Sequence, residues 1–181
     1  RSLSDENVHI LDPFTGTGTF ISRLIQSNLI GKKDLERKYK HEIHANEIVL
    51  LAYYIAAVNI ENAYHDAIPF EYEIKNNGKS KTKIKQEYVP FDGICLTDTF
   101  QLAECDEREK LVSEMFPQNS ERVEKQKKAP LRVIFGNPPY SVGQKSANAN
   151  AQNQKYEKLD NKISNTYAEL SSAGLSKSLY N

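Results

Sequence analysis

The stretch "VHILDPFTGTGTFISRLIQSNLIG", residues 8–31, decides the fold, because it joins an apolar strand, a glycine turn and an amphipathic helix in direct succession. The run from Val8 to Leu11 is short and apolar, which predicts a buried strand. After the turn, apolar residues recur with the 3.6-residue period of a helix that we predict to end at Gly31. The positions that carry this period are Phe20, Ile21, Leu24, Ile25 and Leu29. A strand, a turn and a helix in this order begin an α/β fold.

The alternation of strand and helix continues along the chain. Residues 42–46, "EIHAN", predict a second strand. Residues 48–60 are apolar on every side, which predicts a helix packed deep against a sheet. In residues 66–92 the turn signal "KNNGK" stands between "FEYEI" and "KIKQEYV" and indicates a hairpin or loop insertion.

Two more strands follow this insertion. "GICLTD", residues 93–98, predicts the third strand, and "LRVIF", residues 131–135, predicts the fourth. Residues 101–128 between them have the composition of one or two polar helices. The Asn- and Gln-rich residues 143–155 lack apolar periodicity, so we predict a mobile loop there, with a helix resuming near Tyr156 to Leu170.

These elements predict an α/β fold with a mainly parallel sheet, helices on both faces and right-handed crossovers. Sheets of this kind bind their ligands beyond the carboxyl ends of the strands, where the strand order reverses. We therefore expect the chemistry at the four strand ends. These ends carry Asp12 with its glycine turn, Glu47, Asp98 and the run Asn137, Pro138, Pro139 and Tyr140.

The composition is that of an ordinary soluble domain. The 181 residues are 39% apolar and 27% charged, which argues against general disorder and suits one domain with its own core. The longest nearly apolar stretch, Ile48 to Val58, is too short to cross a bilayer, and the N-terminus has no signal-peptide layout. We therefore expect a cytoplasmic protein with no membrane partner. The net charge of zero argues against a free-standing nucleic-acid binder. Cys95 and Cys105 lack C-x-x-C spacing, so neither a disulfide nor a metal site is predicted.

The glycine turn does not fit a phosphate ligand. No Lys follows the glycine pair as a phosphate loop would need, and Ile21 stands where the dinucleotide fingerprint has its third Gly. Asp12 at the strand end would repel a pyrophosphate. The ligand is therefore expected to be cationic or zwitterionic at this point.

S-adenosyl-L-methionine meets this description, because it joins a sulfonium and an amino-acid tail to adenosine without a phosphate. Asp12 is predicted to face the cationic end, while Gly16 and Gly18 let the backbone approach the ligand and the helix start near Thr19 offers amides to its carboxylate. Glu47 is predicted to accept from the ribose hydroxyls and Asp98 from the adenine amino group. Ile48 and Phe100 are predicted to sandwich the adenine ring.

Each of these features also has a purely structural interpretation. The two glycines can simply serve the turn between strand and helix. Glu47 can favour the start of the following helix, and Asp98 can cap the helix after it. The ligand interpretation gains weight because the acids and the glycine turn all fall at predicted strand ends on one edge of the sheet.

The second motif is "NPPY", residues 137–140. Pro138 and Pro139 have fixed φ and no amide donor, so the segment is rigid and presents acceptors only. The Asn137 side-chain oxygen and the Pro138 carbonyl can bind both N–H groups of a planar amine, and Tyr140 can stack on a base flipped out of a duplex. The alternative is a Pro-rich turn that closes the strand, with Tyr140 in the core.

With "DPFTGTGTF", "NEI", "LTDTF" and "NPPY" in this order, residues 8–140 resemble the amino-methyltransferases that act on adenine N6 in DNA. The further run "SVGQKSANANAQNQKYEKLD" resembles the methyltransferase region of single-polypeptide restriction-modification enzymes, which add nuclease, helicase-like and DNA-recognition domains. The resemblance implies a Rossmann-like methyltransferase fold with strand order 3-2-1-4, S-adenosyl-L-methionine as cofactor and double-stranded DNA as substrate. It implies cofactor roles for Asp12, Pro13, Phe14, Gly16, Gly18, Glu47 and Asp98, and catalytic roles for Asn137, Pro138, Pro139 and Tyr140.

The resemblance also suggests how the chain is organised. We expect residues 1–140 to form the cofactor-binding and catalytic core and residues 141–181 to add a loop and a helical segment of the same domain. The family segment that helps to hold the methionine part normally precedes the glycine motif, and further strands and a recognition domain normally follow. We therefore expect a methyltransferase fragment that folds but has weak or absent activity alone.

Two other functions stay open from the sequence. A methyltransferase for protein glutamine or for a ribosomal RNA base would use the same Asn-Pro-Pro-aromatic motif on another planar amide or amine. A noncatalytic module that binds the cofactor, or nothing, and supports neighbouring domains would need only the fold.

Overall fold

The computed structural model describes residues 2–68, 72–75, 80–83, 87–103, 115–139 and 156–168 of the chain. Its strands are β1 (His9–Asp12), β2 (Ile43–Glu47), β3 (Tyr72–Lys75), β4 (Ser80–Lys83), β5 (Ile94–Leu96) and β6 (Leu131–Ile134). Its α-helices are α1 (Thr19–Gln26), α2 (Lys32–Arg37), α3 (Leu50–Ala67), α4 (Pro117–Lys127) and α5 (Glu157–Ile163). Short π-helical turns, Lys38–Glu42 and Ser164–Ala168, follow α2 and α5, and the 3₁₀ turn Gln101–Ala103 follows β5.

Four of these strands form one parallel sheet with the spatial order β5-β2-β1-β6. Counted along the chain without the insertion, this order is 3-2-1-4, as predicted. β3 and β4 pair antiparallel, which confirms the predicted hairpin within residues 66–92. The fold is therefore of the α/β class.

The sheet is covered by helices on both faces. Ile43, Ala45 and Ile94 point to one face and join the apolar core together with residues of α1 and α3. Cys95, the next residue along β5, points to the other face, where its Sγ lies 3.8 Å from the side-chain nitrogen of Gln126 in α4. Because successive residues of a strand face opposite ways, α3 and α4 lie on opposite sides of the sheet.

The long helix α3 is buried on its inner side only. Ala56, Ile60, Ala63 and Tyr64 are buried against the sheet and α1, as expected for a helix on a parallel sheet. On the outer side Leu51 is 69% and Tyr54 59% exposed, with Ile55 and Val58 also exposed in the same row. The predicted packing of this helix against the sheet is confirmed for its inner side, but the apolar residues of the outer row stay exposed, because apolar composition alone does not say which sides of a helix meet a partner.

The first helix is shorter than its sequence period indicates. α1 ends at Gln26, and Ser27 closes it by donating its hydroxyl to the Leu24 carbonyl at 2.7 Å. Asn28 then adopts a positive φ of 59°, which turns the chain out of the helix. The predicted end at Gly31 was wrong, since Asn is one of the few non-glycine residues that enter the left-handed region readily.

Candidate functional site

Side-chain hydrogen bonds join three strand ends at the carboxyl edge of the sheet. The side-chain amide nitrogen of Asn46, in β2, donates to the Thr99 hydroxyl at 3.1 Å. Thr99 follows β5, and its hydroxyl donates in turn to the Pro13 carbonyl after β1 at 2.7 Å. A backbone hydrogen bond adds to these, since the Thr15 backbone amide donates to the Asn46 backbone carbonyl at 2.9 Å. The ends of β1, β2 and β5 are therefore held as one rigid edge.

The two glycines of the turn serve different purposes. Both have positive φ, 57° at Gly16 and 82° at Gly18, so both positions favour glycine. At Gly18 a Cβ would lie 3.1 Å from the Ala56 carbonyl oxygen and from a side-chain carbon of Ile60, which explains this glycine by the close packing of α1 on α3. At Gly16 a Cβ would meet nothing within 4 Å, so open space lies beside this backbone. Only Gly16 leaves room for a ligand to approach.

Glu47 holds the glycine turn against the start of α3. One carboxylate oxygen accepts from the Gly16 amide and the other from the Val49 amide, both at 2.7 Å. The structural role that the sequence left open, support of the following helix, is therefore present. Each carboxylate oxygen has a second lone pair, so these bonds leave Glu47 able to accept from a further donor.

Asp12 is a fully buried carboxyl with one unused oxygen. It has no exposed surface, and its Oδ1 accepts from the Phe14 amide at 3.1 Å. Its Oδ2 is one of three buried side-chain atoms without a hydrogen-bond partner in the described part of the chain, and Asn46 Oδ1 is another. Burial raises the pKa of Asp12 to about 6, and the nearby charge of Glu47 adds to this, while the Phe14 amide opposes it. A buried acceptor of this kind suits a cationic or N–H donor ligand.

The motif after β6 begins directly beside Asp12. The Phe135 backbone amide donates to the Leu11 backbone carbonyl at 3.1 Å, so β1 and the neighbouring edge strand β6 stay paired up to their carboxyl ends. A Cβ on Gly136 would lie 2.8 Å from Asp12 Oδ1, which leaves no room for any side chain there. Asn137 therefore directly follows Gly136, the residue that lies against the buried Asp12 carboxyl.

The three described residues of this motif lie at the surface. Asn137, Pro138 and Pro139 are exposed beyond the end of β6. Tyr140, the predicted stacking residue, lies outside the described residues. The structure thus brings Asp12 and Asn137 to the same edge of the sheet, as the sequence predicted.

Asp98 and its aromatic neighbours form the far end of this edge. Asp98 Oδ1 accepts from the Phe100 amide at 2.9 Å, which is the local capping role that the sequence left open. The Phe100 ring lies 5.2 Å from the Phe14 ring and 5.6 Å from the Tyr156 ring, measured between centroids. The Tyr156 hydroxyl donates to Asp98 Oδ2 at 3.0 Å. Ile48, the other predicted adenine contact, is 58% exposed.

Sequence reasoning missed three residues of this edge. Asn46 had a visible signal, since it is a polar residue directly before the predicted site residue Glu47. Thr99 had a weaker one, since it directly follows the predicted acid Asp98. Tyr156 had none, because its contact with Asp98 spans 58 residues.

No described helix is both long and apolar enough to cross a membrane. In the same described ranges, no group of three or more His, Cys, Asp and Glu side chains is arranged to hold a metal ion.

Comparisons with solved structures give close matches. The chain is 42% identical, with a TM-score of 0.75, to a nuclease-deletion mutant of the Type ISP restriction-modification enzyme LlaGI in complex with a DNA substrate mimic. It is 43% identical, with a TM-score of 0.74, to the ATP-dependent Type ISP restriction-modification enzyme LlaBIII bound to DNA. It is 39% identical, with a TM-score of 0.73, to DrdV in a cryo-electron microscopy structure of a DrdV-DNA complex.

Each match covers 99% of this chain but only a small part of the larger one, namely 14% of the LlaGI nuclease-deletion mutant, 12% of LlaBIII and 15% of DrdV. The chain is thus similar over almost its whole length to one region of Type ISP restriction-modification enzymes. No family model and no curated protein sequence matches it.

Proposed function

We propose that this chain is the methyltransferase region of a restriction-modification enzyme of the Type ISP kind, and that it transfers a methyl group from S-adenosyl-L-methionine to N6 of adenine in DNA. The observation that carries the proposal is the contact of Asp12 with Gly136, which sets the acid of the glycine turn beside the Asn-Pro-Pro segment. A transfer reaction needs its donor and acceptor sites adjacent, because proximity supplies much of the rate enhancement.

The residues at the strand ends fit this cofactor. Asp12 offers a buried acceptor with an unused oxygen to the cationic part, and Gly16 leaves open space beside its backbone. Glu47 would accept from the ribose, and Asp98 with Phe100 would hold the adenine ring. Pro13 and Phe14 would line the same turn, Gly18 would keep it against α3, and Ile48 would cover the ring. When bound, the cofactor would supply an electrophilic methyl group.

Asn137, Pro138 and Pro139 would hold the amine that receives this methyl group. An adenine amino group is a weak nucleophile, since its lone pair is delocalised into the ring. The Asn137 side-chain oxygen and the Pro138 carbonyl would accept its two N–H groups and favour the geometry in which the lone pair is available. The exposed position of this segment suits a base that leaves its duplex, and Tyr140 would stack on that base.

DNA is the substrate that the similarity to LlaGI, LlaBIII and DrdV favours, since all three were solved with DNA or a DNA mimic. We propose that nuclease, helicase-like and recognition domains accompany this chain in a longer polypeptide. The net charge of zero fits this arrangement, because other domains would then provide most of the basic side chains that bind the DNA phosphate backbone.

Calorimetric titration of the chain with S-adenosyl-L-methionine, NAD and ATP tests the cofactor assignment. We expect S-adenosyl-L-methionine to bind more tightly than either phosphate ligand, and a preference for NAD or ATP would overturn the assignment. The substrate is tested by offering labelled cofactor and the full-length polypeptide duplex DNA, a release-factor protein and ribosomal RNA. Label in either of the last two alone would favour a protein-glutamine or RNA-base methyltransferase.

A further inference from the structure

Tyr156 reaches the adenine end of the site from the helical segment that follows the Asn-Pro-Pro motif. It directly precedes α5, and its hydroxyl donates to Asp98 Oδ2 at 3.0 Å. Its ring packs against Phe100 with the centroids 5.6 Å apart. One side chain therefore contacts two of the residues that the proposed function assigns to the adenine ring, Asp98 and Phe100.

The Asp98 carboxylate is held by two donors from different parts of the chain. The Phe100 amide donates to Oδ1 at 2.9 Å, and the Tyr156 hydroxyl donates to Oδ2. Two bonds on opposite oxygens fix the rotation of the carboxylate plane, which one bond alone would not do. A carboxylate offers about four lone-pair sites, so both oxygens retain the capacity to accept one more hydrogen bond.

Towards Asp98 the Tyr156 hydroxyl acts as a donor. Burial, with the Asp98 carboxylate beside it, raises the pKa of Tyr156 to about 12. The phenol keeps its proton at neutral pH and donates a hydrogen bond to Asp98, so the remaining lone pairs of the Asp98 carboxylate stay available as acceptors for an incoming ligand.

We propose that Tyr156 is a positioning residue that, through its hydroxyl, orients Asp98 to accept the 6-amino group of the bound purine and to reject a 6-oxo purine. This inference rests on the proposed function. A 6-amino purine brings an N–H donor to the oriented carboxylate. A 6-oxo purine brings a carbonyl oxygen to the same place, where acceptor faces acceptor.

The test compares the binding of S-adenosylhomocysteine and S-inosylhomocysteine, which differ in the 6-position of the purine, to the full chain by calorimetry. We expect the wild type to favour the adenosyl ligand and Tyr156→Phe, which keeps the ring, to lower that preference by about 5- to 10-fold. Tyr88→Phe is the matched control, because Tyr88 also donates to a carboxylate, that of Glu61, in another part of the fold. The control should keep the wild-type preference.

A second variant tests whether Tyr156 acts through Asp98. In an Asp98→Ala background, Tyr156→Phe should change the preference by less than about 2-fold, since the group that the hydroxyl orients is gone. An unchanged preference in the single variant would overturn the inference, and so would tighter binding of the adenosyl ligand, which would mean that the hydroxyl competes with the purine. If neither the chain nor the full-length polypeptide binds either ligand, the proposed cofactor itself is wrong.

Discussion

Gly136 lies directly against Asp12: a Cβ at this glycine would stand 2.8 Å from the Asp12 Oδ1 atom and 3.3 Å from Pro13 Cδ. The contact joins the ends of β1 and β6, which are neighbours in the sheet but lie more than 120 residues apart in the chain. It therefore couples the glycine turn, where the cofactor is proposed to bind, to the segment proposed to hold the target amine.

Gly136→Ala should damage both stability and ligand binding. The added methyl group would press on a buried carboxyl that the Phe14 amide holds in place, and overpacking of this kind costs about 1–3 kcal/mol. We expect affinity for S-adenosyl-L-methionine to fall by about 10-fold or more, since about 1.4 kcal/mol accounts for each factor of ten. Urea unfolding and calorimetry measure the two effects.

A double-mutant cycle identifies the cause of that damage. Asp12→Ala removes the atom that the new methyl group meets, so Gly136→Ala should cost at least about 1 kcal/mol less in the Asp12→Ala background. Equal costs in both backgrounds would show that the glycine is needed for another reason.

Asp12→Asn should stabilise the chain at alkaline pH while it weakens ligand binding. The folded-state pKa of about 6 lies above the usual 3.8, so the stability that Asp12 contributes is fully present below pH 3.8 and is lost as pH rises through about 6. Asn does not ionise, and at pH 8 we expect the variant to be about 1–2 kcal/mol more stable than the wild type. Denaturant unfolding at pH 8 and pH 4 checks this.

The difference in unfolding free energy between Asp12→Asn and the wild type should shrink as the pH falls from 8 to 4. Affinity for S-adenosyl-L-methionine should fall at pH 8, because an amide nitrogen would replace an acceptor that faces a cation. A variant that is both less stable than the wild type at pH 8 and equal to it in binding would contradict the role given to Asp12.

Glu47→Gln should loosen the glycine turn. Glu47 accepts from the Gly16 and Val49 amides, and Gln has only one oxygen with which to replace two. We expect a loss of about 1–3 kcal/mol in unfolding free energy and a weaker affinity for S-adenosyl-L-methionine.

Glu61→Gln is the matched control for Glu47→Gln, because Glu61 also accepts from two groups, the Phe91 amide and the Tyr88 hydroxyl. It should lose stability without losing affinity. Equal losses of affinity in both variants would mean that the binding defect merely reflects instability.

His44 should make the fold less stable in mild acid. Its ring stacks on His9, with His9 Nδ1 2.9 Å from His44 Nε2, and burial together with His9 lowers the pKa of His44 to about 4. The His44 ring binds a proton near pH 6.5 in the unfolded chain but only near pH 4 in the folded chain. The free energy of unfolding therefore falls as the pH drops through this window.

His44→Gln should remove about 1–3 kcal/mol of that acid-induced loss. His41→Gln, at an exposed histidine in the turn Lys38–Glu42 before β2, is the control because it leaves the stacked pair of His9 and His44 in place. Chemical denaturation at pH 7 and pH 5 separates the two variants, and identical pH profiles would contradict the burial effect. Burial of Asp12 lowers the stability of the fold as the pH rises, whereas burial of His44 lowers it as the pH falls. Each variant is therefore compared with the wild type at both pH values.

The sequence predicted the sheet, and the place of its polar residues at the strand ends, because these depend on short-range patterns. Apolar runs that end in Asp12, Glu47, Asp98 and Asn137 mark strand ends whatever surrounds them. The 3-2-1-4 order came from the family resemblance, and the structure bears it out.

Features that depend on tertiary contacts were not visible in the sequence. The exposed outer row of α3 depends on what packs there, and apolar composition does not report that. The early end of α1 depends on Asn28 taking a positive φ. The bond between Tyr156 and Asp98 joins residues that no local pattern connects.

The most direct test of the central proposal is transfer of a labelled methyl group by the full-length polypeptide to duplex DNA, followed by nucleoside analysis by mass spectrometry. We predict N6-methyladenine as the product for the wild type and a loss of at least about 100-fold for Asn137→Ala with cofactor binding retained, since that side chain would act on the amine alone. Undiminished methylation by Asn137→Ala, or label on a base other than adenine, would contradict the account.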